Sequence, residues 1–63
     1  MKNDRGAYYL LIITEPSGAQ TEFTYDNAEA ARKHSKMNME SNPNGLRHLF
    51  KMLPNHDPIE VMA

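Results

Sequence analysis

Six consecutive apolar residues, Tyr8-Tyr9-Leu10-Leu11-Ile12-Ile13, stand between Gly6 and Pro16, and no other stretch constrains the fold as tightly. The run is short for a helix and rich in aromatic and β-branched side chains, so it predicts a strand over Tyr8 to Thr14. Alternation puts Tyr8, Leu10 and Ile12 on one face and Tyr9, Leu11 and Ile13 on the other. A strand that is apolar on both faces belongs at the centre of a sheet, with cover on each side.

The residues that follow are turn-forming. Pro16 presets the φ that the second position of a turn requires, and Gly18 can adopt the left-handed conformation that closes a hairpin. On the return strand Ala19, Thr21, Phe23 and Tyr25 share one face while Gln20, Glu22 and Thr24 share the other, a half-solvated pattern. Asp26 is positioned as a helix cap with Glu29 as its capping-box partner. The first helix is expected from about Asn27 to about Met39, with Asn42-Pro43-Asn44-Gly45 as its stop. Leu46, Leu49, Phe50 and Leu53 recur at i, i+3, i+4 and i+7, which predicts a second short helix ended by Pro54. The tail, Asp57 to Ala63, alternates well enough to supply a third strand on the free edge of the first.

The expected architecture is thus one small α+β domain spanning 1–63. A flexible N-terminus (1–6), a hairpin (7–25), a helix (26–40), a short helix (45–53) and a third strand (58–62) give a β-β-α-α-β order. The three strands form a mainly antiparallel sheet in the order 2-1-3, packed on two helices. A chain of 63 residues buries only about 60% of the surface that its unfolded form exposes, so its stability is expected to be marginal.

The chemistry that this sequence can support is narrow. Without cysteine there is neither a disulfide framework nor a thiolate metal site, which points to a reducing, cytoplasmic setting. The apolar run is shorter than a signal-peptide core and far shorter than the roughly 20 residues of a transmembrane helix, so no membrane association is expected. His34, His48 and His56 lie at separations that match no short-spaced zinc pattern, and no metal or cofactor is assigned. Ser17, Ser35 and Ser41 lack the sequence frame of a nucleophile elbow. Glu15 and Glu22 flank an exposed turn with nothing to exclude water or perturb a carboxylate. Gly6, Gly18 and Gly45 stand alone, so no glycine-rich phosphate loop can be written. No catalytic residue is assigned, and the chain is expected not to be an enzyme.

Two features remain for binding. The net charge of −1 conceals a basic middle: Arg32, Lys33, Lys36, Arg47 and Lys51 face only Glu40 between residues 30 and 53, while both ends are acidic. If the two helices lie side by side on one face of the sheet, Arg32, Lys33 and Lys36 of the first and Arg47 and Lys51 of the second would converge in one patch suited to an acidic protein surface or a phosphate backbone. Tyr8 and Tyr9 open a strand whose second face needs cover, and tyrosine supplies large contact area at low entropic cost. Met37, Met39, Met52 and Met62 add adaptable apolar surface.

In size, lack of cysteine and β-β-α start, the chain resembles the very small proteins that phages and mobile elements encode to inhibit host machinery. That build implies action by occupying a surface of a larger protein. A nucleic-acid-binding regulator using the basic helix face is the alternative, and a homodimer through the sheet is a further option.

Overall fold

The computed structural model describes residues 6–62. Apart from Gly6, the N-terminal stretch expected to be flexible lies outside the described residues. The described residues form a small α+β domain with one four-stranded antiparallel sheet and one helix. In chain order these are β1 (Tyr8–Thr14), β2 (Gln20–Tyr25), α1 (Ala28–Ser41), β3 (Leu46–Met52) and β4 (Ile59–Val61). The sheet order is β2-β1-β3-β4.

β1 pairs with β2 through Leu11 opposite Phe23 and with β3 through Leu11 opposite Leu49, so it is central, as its two apolar faces require. The hairpin closes as expected: the Gly18 amide donates to the Glu15 carbonyl at 2.8 Å, and the Glu15 amide donates to Ala19 at 2.8 Å. Gly18 sits at φ +97°, a conformation that a side chain resists.

Three expectations are corrected. The segment expected to form a second helix over 45–53 is β3. Its seven residues fit two periods, because Leu46, His48, Phe50 and Met52 also alternate with Arg47, Leu49 and Lys51. What decides between them is tertiary: β1 needs a second strand neighbour along its whole length, and β3 supplies it from Tyr8 opposite Met52 to Thr14 opposite Leu46. The tail strand is shorter than expected and pairs with β3, not with β1. The 2-1-3 order is therefore replaced by 2-1-3-4, with the supposed helix in third place.

The helix cap also moves by one residue. Asn27, not Asp26, is the N-cap, and its side-chain oxygen accepts from the Ala30 amide at 2.8 Å. Removing this acceptor by Asn27→Ala is expected to cost about 1 kcal/mol. It would be read as a lowered urea midpoint at unchanged helical circular dichroism in buffer.

β2 and β3 both run antiparallel to β1 and hence parallel to each other, so the chain must cross the sheet to pass from one to the other. α1 is that crossover. It lies on one face, where its own Ala31 joins Leu11, Ile13 and Leu49 of the sheet in the core, with Tyr9, Phe23, Tyr25 and Val61 packed around them. Leu11 and Leu49 are fully buried. His34 anchors the helix over β2: its ring meets Phe23 edge-on at 4.5 Å between centroids, and the Tyr25 hydroxyl donates to its Nδ1. Ser35 is buried beneath the helix.

The turn from α1 into β3 favours glycine for lack of space. A Cβ on Gly45 would stand 3.0 Å from the Thr14 carbonyl oxygen and 3.5 Å from that of Asn42. Arg47 fastens the same corner, donating to Asn38 Oδ1 at 2.9 Å, to the Asn42 carbonyl at 3.1 Å and to the Gly45 carbonyl at 2.9 Å.

Candidate interaction face

Among the described residues one crossover helix covers one side of the sheet and nothing covers the other. Strand alternation and the pairing registers determine what the other side presents. Tyr8 lies beside Met52; Thr24, Leu10, Phe50 and Glu60 form one row; Glu22, Ile12 and His48 form another; Gln20, Thr14 and Leu46 form a third. Leu10, Ile12, Phe50 and Met52 are partly buried by one another, while Tyr8 is 39% and Leu46 61% exposed. The face has an apolar centre running diagonally over β1 and β3, which an isolated sheet leaves to water.

Its charge is acidic. Glu22 and Glu60 lie on it, and His48 donates from Nδ1 to Glu60 Oε2 at 2.9 Å. The His48 ring also stacks near Phe50 with centroids 6.5 Å apart. Among the described residues no lysine or arginine projects from this side.

The five basic residues lie elsewhere. Arg47 and Lys51 belong to the helix-facing side of β3, where Arg47 is engaged in the corner described above and Lys51 lies opposite Tyr9 and Ile59. Arg32 donates to the Met62 carbonyl at 3.0 Å. Lys33 and Lys36 are exposed on α1. The basic residues therefore share the helical side of the molecule, but two of the five hold structure together. The expected two-helix basic surface does not form, because one of its helices is a strand.

The two tyrosines part company as well. Tyr8 is on the open face, whereas Tyr9 faces the helix and packs against the core. Between Tyr8 and the end of β2 runs an open groove of about 260 Å³ lined by Tyr8, Thr24, Tyr25 and Asp26. This is at the lower limit of small-molecule pockets, which usually span about 300–1,000 Å³.

The three histidines are separated: His34 at the helix, His48 on the open face, and His56 donating from Nδ1 to the Asp57 carbonyl at 2.8 Å. Among the described residues no three histidine or carboxylate groups gather as a metal would need, and no helix is long and apolar enough to cross a membrane. Ser17 accepts from the Ala19 amide within the hairpin turn.

Leu46, His48, Phe50 and Met52 are the members of the open face missed by the helical assignment. Their alternation in Leu-Arg-His-Leu-Phe-Lys-Met was the available signal. Comparison with protein-family models, with curated proteins and with solved structures finds no match.

Proposed function

We propose that this chain is a small non-catalytic binding protein that acts by occupying a surface on a larger macromolecular partner, in the manner of phage or mobile-element inhibitors of host machinery. The observation that carries this reading is the apolar sheet face, left uncovered by the described residues, centred on Leu10, Ile12, Phe50 and Met52, with Tyr8 and Leu46 at its margin. Apolar area of this kind gains free energy when a partner excludes water from it, and a protein surface is the partner that does so.

Electrostatics favours a protein over nucleic acid for this face. Glu22 and Glu60 would repel a phosphate backbone, and among the described residues the face carries no lysine or arginine to neutralise it.

The test is affinity capture from bacterial lysate with a tagged chain, with and without nuclease, beside two variants. Tyr8→Lys with Leu46→Lys changes two exposed positions of the open face, and Lys33→Glu with Lys36→Glu reverses charge on the helix. The expected result is a discrete protein that survives nuclease, is lost with the first variant and is retained by the second. Recovery abolished by nuclease, or by the helix variant alone, would overturn the assignment in favour of the basic face.

A further inference from the structure

The two edges of the sheet are treated differently. β4 is a three-residue edge that follows Pro58, and short or proline-bounded edges resist pairing. β2 presents six residues, Gln20–Tyr25, with neither proline nor lysine. Its only charge is Glu22. One strand neighbour, β1, occupies one side, and the backbone groups of the other side have no strand partner among the described residues.

We infer that β2 pairs antiparallel with β2 of a second copy of this chain, about a two-fold axis passing through Phe23, to give a continuous eight-stranded sheet. The sequence of the edge is complementary to a second copy of itself when the axis passes through Phe23. A two-fold axis perpendicular to the sheet leaves both helices on the same side, and residues directly opposite each other then point to the same face. Centring on Glu22 would set two carboxylates opposite each other, which is destabilising. Centring on Phe23 avoids this: Phe23 meets Phe23 on the helical side, each Tyr25 meets Thr21 of the other copy, and each Glu22 meets Thr24 of the other copy on the open side. Aromatic and aromatic–β-branched cross-strand pairs of this kind stabilise sheets.

The helix is consistent with the same neighbour. His34 faces β2, and Ala30 and Met37 lie on the same flank by helical spacing, with Met37 58% exposed. With strands about 4.8 Å apart, two helices each seated chiefly over β1 stand about 14 Å from one another, a gap that a Met37 side chain from each can span. The pairing also joins two open faces into one, so it is independent of the identity of any other partner. An edge of six residues, about 20 Å long, is a small contact, and association in the micromolar-to-millimolar range is expected.

The test is sedimentation equilibrium from low micromolar to near-millimolar protein, with circular dichroism to verify folding of each variant. The wild type is expected to shift from monomer to dimer with concentration. Thr24→Glu places a carboxylate opposite Glu22 of the other copy at both symmetry-related positions and should weaken association at least tenfold. Thr24→Lys should preserve or tighten it, and Glu22→Lys combined with Thr24→Glu should restore it. Both positions are exposed, so the variants are expected to fold. A wild type that stays monomeric throughout, a folded Thr24→Glu variant that dimerises as well as wild type, or a dimer broken only by Tyr8→Lys with Leu46→Lys would each overturn the inference.

Discussion

Leu11→Ala is expected to remove 2–5 kcal/mol of stability, the usual range for a leucine deleted from a closed core. Leu11 has no exposed surface and sits where β1, β2, β3 and α1 meet, with Phe23 and Leu49 as its direct strand partners. A domain of this length has roughly 3–9 kcal/mol in total, so the loss takes about half of the whole, and a urea titration followed by circular dichroism should show a midpoint lowered by about half. Leu10→Ala provides the contrast. Its side chain lies one residue away on the open face, where truncation leaves no closed cavity, and the expected loss is about 1 kcal/mol. Equal losses at the two positions would mean that the open face is sealed in solution.

Arg47→Met is expected to cost about 2 kcal/mol, even though it removes a half-buried charge and keeps much of the apolar stem. The guanidinium joins three oxygens, on Asn38, Asn42 and Gly45, that belong to the end of α1 and the turn after it. The last turn of α1 has no basic residue of its own, so Arg47 brings from β3 the positive group that favours a helix C-terminus. Hydrogen bonds to a charged donor contribute more than neutral ones, and partial exposure discounts them here. Arg47→Lys should recover less than half of the loss, because an ammonium cannot reproduce the planar fork that reaches separate acceptors. Denaturant midpoints for the two variants, with amide exchange in the last turn of α1 as a local readout, would check both statements.

The same arginine illustrates what the sequence conceals. In the linear chain Arg47 and Lys51 are four apart, a helical spacing, and they join Arg32, Lys33 and Lys36 in an apparent basic surface. In the fold Arg47 is a fastening and Lys51 lies on a strand. The hairpin was legible because its determinants are local: an apolar run, Pro16, and a glycine free to take positive φ. α1 was legible to within two residues at each end for the same reason, with neighbouring side chains, Asp26 and Asn27, both competent to cap. β3 was not, since Leu46 to Met52 satisfies helical and strand periods alike and only its pairing with β1 separates them. Of the candidate site, Tyr8 was legible as an exposed aromatic on a two-faced strand. Its neighbours Phe50 and Met52 became visible only once β3 lay beside β1.

The crossover topology also dictates an order of events during folding. The β1–β2 hairpin closes over a few residues, and α1 forms from local contacts, so both can appear early. The pairing of Tyr8 with Met52 joins positions that are far apart in the chain, and it must await closure of everything between them. Docking of β3 against the hairpin should therefore be the slow step, in keeping with the dependence of folding rate on the sequence separation of contacts. Until it occurs, β1 exposes one entire edge and both apolar faces, and this interval, rather than the native state, is when the chain is most open to aggregation.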